Sequence, residues 1–521
     1  MTYSYNLVDE PWIPVVGLDG VSTAKVGLRE ALVHAHEWQG VYGETPLVAA
    51  SVYRLLLALL YAIFGVPSSR RWEDLWRRGA LDAQAVNAYL DKWHERFDLF
   101  HPERPFYQWP AKANREKTVI DMLPELASGG NATLFDHHTA EGSAFFLPDE
   151  AARALLLVQT FSVAGGGGLA PKESADAPWS RGCVFLVEGD NLFQTLLLNF
   201  GEFNISTNPA DHPFWEMEDP FARRDVPLGI KDYLTWPTRA LWLLPETSPT
   251  GQVGVREVRM GTGLKLAPEV LQPFYHYRRR PKDGKWLFQR FSATRALWRD
   301  SASFLKLRKV EKANDYRPPE TLQWLADLLD ESDVLEKHRL YRYMVFGMAN
   351  NQAKVDFYRE EHFPLPADYL LKPELVESLS DALNKADEVG AALGSSISRL
   401  ATLLVAPNKE GKQLSKSDRQ AIKDLASHWA AERDYWASLE VPFFELLEAL
   451  PQNKTTALQR WKQMLREFAR QALERAIRMT GEDAMALRAA VLARGQLEGK
   501  LKRIFDPENH PKGEAHERKA T

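Results

Sequence analysis

Three consecutive amide side chains interrupt an apolar run about two thirds of the way along the chain. Asn350, Asn351 and Gln352 follow residues 343–349 and precede Ala353. Each amide carries N–H donors and an oxygen acceptor, so burying all three without partners would cost free energy. The stretch is therefore predicted to be exposed. It is either a polar loop between two elements, or an amide cluster on a small-residue turn that can read base edges or wedge between bases.

A run of four glycines follows a predicted helix. Gly165, Gly166, Gly167 and Gly168 can adopt positive φ, and they have no side chain to keep a partner's backbone away. The spacing to the next lysine does not fit a P-loop, and no strand precedes the run as a dinucleotide fingerprint requires. The run is therefore either a flexible linker or a surface that a phosphate or the edge of a groove can approach closely.

Basic side chains are concentrated in one segment of a chain whose net charge is −5. Residues 278–312 contain twelve Lys or Arg and three acidic residues, a local net charge of +9. The acidic net charge excludes a protein that coats nucleic acid with a uniformly basic surface. The segment is either a solvated face or a local site for a polyanion, and its interleaved aromatic residues favour nucleic acid. These aromatic residues are Tyr277, Trp286, Phe288, Phe291 and Trp298.

The sequence contains few of the residue arrangements that enzymes use for catalysis or metal binding. Asp136-His137-His138 resembles the metal-binding triplet of some phosphoesterases, but no matching Asp and His ligands at strand ends accompany it. The single cysteine, Cys183, lies in an apolar predicted strand and is expected to pack rather than to act as a nucleophile. One cysteine also excludes an intrachain disulfide, so a reducing cytoplasm is the simplest compartment. We predict no catalytic activity, no metal and no cofactor.

Both helices and strands are predicted over the first two thirds of the chain, where they position these residues. A chain of 521 residues is expected to fold into two or three domains. Apolar residues spaced by three or four predict helices, and alternating ones predict strands. Helices are predicted at residues 46–64, 72–97, 149–161, 190–200, 319–335 and 340–346, and strands at residues 183–187, 241–244, 253–260 and 286–290.

From Pro373 onward the apolar spacing of three and four residues becomes uniform. Four long helices with short connections favour a four-helix bundle. They are predicted at residues 373–406, 415–439, 455–480 and 483–505, with a short helix at residues 442–450. The predicted fold class is therefore α+β. A large mixed α/β domain of irregular topology occupies residues 1–364, the bundle residues 365–507, and a tail predicted to be disordered residues 508–521.

The order and spacing of several motifs resemble one family, the large subunit (CasA) of the type I-E CRISPR surveillance complex, Cascade. The likeness covers most of the chain. None of the motifs is unique by itself, and their order and spacing together make the resemblance specific. They are Asn6-Leu7 with Trp12-Ile13-Pro14-Val15, residues 101–106, the loop at residues 131–135, the glycines at 165–168, the amides at 350–353 and the C-terminal helices.

The resemblance implies that three segments approach the minor groove of duplex DNA. They are the glycine loop at residues 165–168, a lysine for which Lys265 is the candidate, and a hairpin whose glutamine acts as a wedge. The hairpin residues are Asn351, Gln352 and Ala353. Phe135 matches the loop aromatic associated with recognition of the protospacer-adjacent motif (PAM) and with docking near the 5′ end of the guide RNA. The cysteine cluster that some members carry is absent, so no zinc is predicted.

The function implied by the resemblance is that of a non-catalytic subunit. It would recognise the PAM in double-stranded DNA through the minor groove, start target unwinding and help to recruit the helicase-nuclease. Its partners would be target DNA, the 5′ end of the guide RNA, and the backbone and small subunits of the complex, with no membrane. Two alternatives remain: a metal-dependent phosphoesterase, and a purely architectural subunit of an RNA–protein complex.

Overall fold

The computed structural model of the protein describes residues 3–123, 144–165, 174–307, 315–351, 354–407 and 413–506, without the side chains of Asn350, Asn351 and Lys354. The chain divides into two compact units. One lies within residues 1–297 and 303–371, and the other within residues 298–302 and 372–521. The predicted α+β class is confirmed, because the first unit combines small sheets with helices and the region after Lys372 is helical.

The strands of the first unit form antiparallel sheets of three strands each. The sheets have the orders β2-β1-β3, β4-β7-β6, β10-β8-β9 and β12-β11-β5. The strands are β1 (Ile13–Gly17), β2 (Thr23–Val26), β3 (Trp38–Val41), β4 (Arg115–Thr118), β5 (Val184–Glu188), β6 (Arg239–Thr247), β7 (Val253–Thr262), β8 (Tyr277–Arg279), β9 (Trp286–Phe288), β10 (Tyr316–Arg317), β11 (Leu340–Asn351) and β12 (Lys354–Pro366).

The helices of the first unit pack around these small sheets. They are α1 (Leu28–Val33), α2 (Pro46–Phe64), α3 (Ser69–Arg78), α4 (Ala83–Lys92), α5 (Pro148–Phe161), α6 (Leu192–Leu198), α7 (Ile230–Leu234), α9 (Glu320–Glu331) and α10 (Asp368–Leu371), with the short α8 (Ser301–Phe304) at the division between the units. The sequence predicts most of them, although residues 72–97 form α3 and α4 rather than one helix. Gly79 ends α3 in the left-handed conformation, and Asp82 caps α4 by accepting hydrogen bonds from two backbone N–H groups.

Helix α2 is the central apolar helix of the first unit, as its sequence predicts. The helix is long and apolar enough to cross a membrane, but 89% of its most apolar window is buried inside the protein. The second helix that passes this test, at residues 373–405, is amphipathic and half buried. Burial at these levels is typical of core helices in a folded protein, whose apolar faces pack against other elements.

The prediction of a helix at residues 340–346 is wrong, because these residues begin the twelve-residue strand β11. Residues 343–348 are all buried, since β11 is the middle strand of its sheet. A strand covered on both faces shows a continuous apolar run instead of an alternating one, and such a run does not distinguish strand from helix. The β-branched and aromatic residues in the run were the available indication of a strand.

The second unit is built on one long helix. Helix α11 (Pro373–Val405) contacts α12 (Lys416–Trp429), α13 (Ala431–Ser438), α15 (Lys454–Arg478) and α16 (Ala484–Phe505), and α14 (Glu440–Ala449) packs on α13 and α15. Two aromatic side chains hydrogen bond to carbonyls of α11. The Trp461 indole N–H donates to Ala382 O over 2.9 Å, and the Tyr435 hydroxyl donates to Ala386 O over 3.0 Å. The four long helices predicted here are present, but the second is broken into α12 and α13.

The break between α12 and α13 predicts a stabilising substitution. Ala430 ends α12 with φ 53° and ψ 20°, a left-handed conformation that an L-residue with a Cβ disfavours. Ala430→Gly should raise the free energy of unfolding by about 0.5–1 kcal/mol, after the greater flexibility of glycine in the unfolded chain is subtracted. Urea denaturation of the full chain measures the change. Ala421→Gly, in the exposed interior of α12, is the matched control and should lower stability by about 1 kcal/mol. A loss of stability in both variants would contradict the prediction.

Candidate nucleic-acid interface

The predicted amide cluster lies at the end of a long hairpin. Strands β11 and β12 pair from Leu340↔Pro366 to Asn351↔Lys354, whereas β5 pairs with β11 only as far as Val184↔Phe346. The last five residues of β11 therefore continue past the end of β5, a length of about 17 Å at the usual rise per residue. Gln352 and Ala353, which join the strands, lie outside the described residues, and Asn351 is described only by its backbone.

The stem of the hairpin is packed closely at Gly347. A Cβ at this position would lie 3.0 Å from the carbonyl oxygen of Gly182 and 3.2 Å from the ring of Phe291. A larger side chain would therefore push β11 away from residues that precede β5 and follow β9. Near the tip the register shifts between Ala349 and Asn350, and such a bulge increases the local twist of a hairpin. Close packing at the stem fixes the direction in which the tip projects.

The two ends of the glycine loop are held together. Gly165 has φ 83° and donates its backbone N–H to the Ser174 hydroxyl over 2.8 Å. The Ala164 N–H donates to the Asp176 carboxylate over 2.8 Å, and the Ala177 N–H donates to Ser162 O over 2.8 Å. Gly166, Gly167 and Gly168 lie outside the described residues. The loop is therefore not a plain linker at its base, because its first and last residues are hydrogen bonded to each other.

A buried arginine completes the base of this loop. The Arg239 side chain, in a residue that is 1% exposed, donates from Nη2 to Val163 O over 2.9 Å and from Nη1 to Ala175 O over 2.8 Å. One planar guanidinium thus spans both ends of the loop, which a lysine could not do with the same geometry. Burial lowers the pKa of Arg239 to about 10, so the group remains charged at neutral pH. The Gln159 side chain fixes the Arg239 backbone by hydrogen bonds to its N–H and its carbonyl.

Lys265 is exposed and lies next to the segment that carries Arg239. The Leu264 N–H donates to Pro237 O over 2.9 Å, and the Trp236 indole N–H donates to Leu264 O over 3.3 Å. The backbone of Gly263 lies so close to the backbone of Pro237 that a Cβ on Gly263 would be 2.2 Å from the Pro237 carbonyl oxygen. Residues 236–239 therefore support both Lys265 and the base of the glycine loop.

Residues 174–182 connect the glycine loop to the hairpin. At the loop end, Ser174 and Asp176 accept the hydrogen bonds that close the base. Asp176 also pairs with Arg181 at 2.7 Å, and the next residue, Gly182, contacts the hairpin at Gly347. The structure thus brings Gly165, Lys265 and the hairpin stem onto one connected framework. Nothing in the sequence pattern indicates Ser174 or Asp176, and the only indication of Arg239 is a lone arginine at the start of an apolar strand.

The remaining predicted sites are not all described. Phe135 and the triplet Asp136-His137-His138 lie outside the described residues. Within the described part of the chain, no group of three or more His, Cys, Asp or Glu side chains could hold a metal ion. Cys183, the residue that precedes β5, is buried, as expected for a cysteine that packs in the core.

The basic segment is divided by the structure. Three of its aromatic residues are buried: Tyr277, Phe291 and Trp298. They belong to the core, which differs from the prediction that they contribute to a surface site. Trp298 stacks on Phe443 within the second unit, where Arg299 pairs with Asp387 at 2.6 Å. Among the described residues of the segment, the exposed cations are on and around the small sheet β10-β8-β9. They are Arg278, Arg279, Arg280, Lys282, Lys285 and Arg290.

A charge cluster lies on the lower stem of the hairpin. His362 on β12 contacts the carboxylates of Glu188 and Glu360 at 3.0 and 3.1 Å, and Arg342 on β11 pairs with Glu188 at 3.2 Å. Hydrogen bonds to the two carboxylates raise the pKa of His362 to about 9. Burial would raise the pKa of Glu188, but hydrogen bonds and the charges of His362 and Arg342 lower it. The cluster links all three strands of the sheet.

These features define an α+β protein that presents a projecting hairpin, a loop closed at its base and a basic surface. The family described as CRISPR-associated protein Cse1 matches residues 6–472. The CRISPR-associated protein CasA/Cse1 of Thermus thermophilus is 35% identical over 508 residues, which cover 95% of this chain and 96% of that protein. The chain belongs to the Cse1 family of CRISPR-associated proteins.

Solved structures agree with this assignment. A crystal structure of Thermus thermophilus CasA matches with a TM-score of 0.78 at 30% identity, and the match covers 96% of this chain and 100% of that one. A chain of a CRISPR RNA-guided surveillance complex matches with a TM-score of 0.73 at 21% identity and shares the fold over 95% of this chain and 99% of its own length. The fold described above is therefore shared along nearly the whole chain.

The buried arginine yields a prediction about the glycine loop. Arg239→Met should leave the Val163 and Ala175 carbonyls without their charged donor, at a cost of about 1–3 kcal/mol for each buried group. Hydrogen exchange should therefore become faster at the Ala177 amide, which donates to Ser162 O. Arg259→Met is the matched control, because Arg259 lies on β7 with a half-exposed side chain that pairs with Glu116 and makes no contact with the glycine loop in the described residues. Unchanged exchange at Ala177 would show that the arginine does not hold the loop.

The charge cluster yields a prediction about pH. The pKa of His362 in the folded protein, about 9, lies above the ordinary value of 6.5. The ion pairs therefore stabilise the stem fully below about pH 6.5, and this contribution is lost as the pH rises through about 9. Because His362 is half exposed, solvent screening keeps the contribution to about 1 kcal/mol or less.

NMR titration of ¹³C-labelled histidines tests this directly, with His362→Gln used to assign the signal. Glu188→Gln should lower the pKa of His362 towards its ordinary value, because the carboxylate that stabilises the imidazolium is removed. Glu467→Gln, on α15, is the control and should leave the titration unchanged. A His362 signal that titrates near 6.5 in the unmodified protein would contradict the prediction.

Proposed function

We propose that this protein is the large subunit of a type I-E CRISPR RNA-guided surveillance complex. It recognises the PAM of double-stranded DNA through the minor groove, starts target unwinding and helps to recruit the helicase-nuclease, without catalysing a reaction itself. The observation that carries the proposal is the hairpin, which extends five residues past β5 and whose strands are joined by Gln352 and Ala353. Membership of the Cse1 family supports the assignment to a CRISPR system.

The geometry of the described residues fits minor-groove recognition. The minor groove is about 6 Å wide, so a narrow two-stranded ribbon and a glycine-lined loop can enter where bulky elements cannot. Asn351, Gln352 and Ala353 are proposed to act at the tip of the ribbon, with Gly165–Gly168 and Lys265 alongside. The shared support at residues 236–239 and 174–182 favours joint action of the three segments. The degenerate code of the minor groove then predicts tolerance of several PAM sequences.

Unwinding by a small wedge is energetically reasonable. Unstacking one base step costs a few kcal/mol, and the exchange of a DNA duplex for a guide heteroduplex is nearly balanced. An amide side chain inserted at the right step can therefore decide whether strand exchange begins. The closely packed stem at Gly347 supports this role, because a wedge must not yield when it meets the stacked bases.

The proposed partners follow from the same assignment. A protein of the same fold is a chain of an RNA-guided surveillance complex, which supports assembly with other subunits and guide RNA in the cytoplasm. Phe135 is proposed to recognise the PAM and dock near the 5′ end of the guide RNA. The second unit is proposed to contact neighbouring subunits and the displaced strand. We propose the boundary between the two functional domains near residue 364, with residues 508–521 as a disordered tail.

The proposal predicts that Gln352→Ala impairs target unwinding more than it impairs folding. The assembled complex is measured at fixed salt on matched duplexes that differ only at the PAM, with binding and strand opening recorded separately. Binding should stay PAM-dependent, while opening should slow by about tenfold or more if the wedge supplies about 1.4 kcal/mol or more at the unstacking step. Gln84→Ala makes the same chemical change at an exposed position of α4 and should have no effect. Equal binding to every duplex would favour the architectural alternative.

A further inference from the structure

The segment at residues 101–106 forms a turn that carries Arg104 to the surface. The His101 Nδ1 accepts the backbone N–H of Arg104 over 3.0 Å, so this ring nitrogen carries no proton. At the other end of the turn, the Phe106 N–H donates to Asp98 O over 2.9 Å. The turn is therefore fixed on both sides of Arg104, whose side chain is exposed.

Three aromatic rings bring a second arginine to the same place. Phe106 stacks on Phe97 and Phe97 lies against Trp215, with ring centres 5.2 Å apart in each pair. Arg96, which precedes Phe97, is therefore held beside the turn. Its guanidinium donates from Nε to Trp215 O over 2.9 Å and from Nη2 to Met217 O over 3.3 Å. These bonds fix the plane of the group, and its Nη1 has no partner among the described residues.

Arg96 and Arg104 line one small cavity that is partly open to solvent. Its volume is about 10 Å³, which is enough for about one water molecule. Its other walls are largely apolar and include Pro105, Trp109 and Pro220. The cavity therefore admits one or two atoms of a ligand, and the rest of that ligand would lie against the apolar rim.

Tyr107, in the wall of this cavity, has an unusual backbone conformation. Its φ is 56°, in the left-handed region that a residue with a Cβ disfavours. The buried Tyr107 ring packs on Phe214 with centres 4.8 Å apart, and its hydroxyl donates to Trp236 O over 3.4 Å. Core contacts thus hold a strained residue in place, and strain of this kind is concentrated at binding sites.

The two arginines of the cavity face no negative charge in the described part of the chain. Neither forms an ion pair with a carboxylate there, whereas Arg29 nearby in sequence pairs with Asp9 at 2.8 Å. Burial and the charge of Arg104 lower the pKa of Arg96. Two like charges at one small cavity repel each other, and an anion between them would replace this repulsion with two attractions. The arrangement therefore favours an anionic ligand.

We propose that Arg96 and Arg104 bind the carboxylate of an acidic side chain from a partner protein. One carboxylate oxygen occupies the cavity and accepts from Arg96 Nη1, and the other accepts from the Arg104 guanidinium. A planar group with two oxygens matches the planar N–H edges of arginine. Its methylene stem meets the rim of Pro105, Trp109 and Pro220, where a larger, tetrahedral phosphate would place further oxygens against apolar atoms. This site is separate from the hairpin and goes beyond the proposed function.

Fluorescence anisotropy of a labelled octapeptide that alternates Glu with Gly tests the proposal on the full-length protein at fixed salt. The same peptide with Gln in place of Glu should bind more weakly. Arg104→Gln should weaken binding of the Glu peptide by about 3- to 20-fold, the contribution of a hydrogen bond to a charged group at a partly exposed site. Arg96→Lys should also weaken binding although the charge is kept, because lysine lacks the planar fork. Thermal unfolding verifies that each variant is folded.

Arg71→Gln is the matched control, because Arg71 is exposed on α3 and forms no ion pair among the described residues. It changes the net charge equally and should leave binding unchanged. Equal weakening by Arg71→Gln and Arg104→Gln, or equal binding of the Glu and Gln peptides, would overturn the proposal.

Competition separates a carboxylate site from a phosphate site. Glutarate should displace the Glu peptide at a lower concentration than inorganic phosphate does at the same ionic strength. The reverse order would assign the cavity to phosphate groups and overturn the proposal. No DNA is present in these measurements, so their outcome is independent of the unwinding experiment.

Discussion

Two buried arginines at the end of α5 determine where the glycine loop leaves the core. Arg54 on α2 donates to Gln159 O over 3.1 Å and to Tyr233 O over 2.7 Å, and Arg239 donates to Val163 O and Ala175 O. Neither side chain has a carboxylate partner among the described residues, and burial lowers the pKa of both. The cost of burying these charges is offset by charge-assisted hydrogen bonds to carbonyls and by the negative end of the helix dipole.

That arrangement constrains the rest of the candidate interface. Arg239 begins β6, and the three residues before it hold the segment that ends in Lys265. The loop end at residues 174–176 continues into the chain that reaches Gly182 and the hairpin stem. Loops that act together on one ligand need a common rigid support, because a displacement of about an ångström at the base of a loop becomes larger at its tip. Buried hydrogen bonds to backbone groups supply this support at the base of the glycine loop and beside Lys265.

The sequence predicts the class and most elements of this fold, but not the contacts that organise the site. The long helices after Pro373 are visible because a 3.6-residue period repeats over many turns. Strand β11 is mistaken for a helix because a strand buried on both faces has no alternation to detect. The role of Arg239 is invisible, because its partners are backbone carbonyls of residues 163 and 175, which any residue type carries. The glycines, Lys265 and the amide cluster are found by composition and by family resemblance.

Arginine illustrates why composition alone cannot locate a binding surface. Arg239 is a buried structural donor, Arg470 forms an exposed ion pair, and Arg317 stacks on Trp286 with no carboxylate partner among the described residues. The three residues contribute equally to net charge, yet only the third type leaves positive potential at the surface. Pairing depends on helix spacing and strand register, which are properties of the fold. An acidic protein can therefore bind a polyanion at one place, provided that its other cations are neutralised internally and the unpaired ones are gathered on a single sheet.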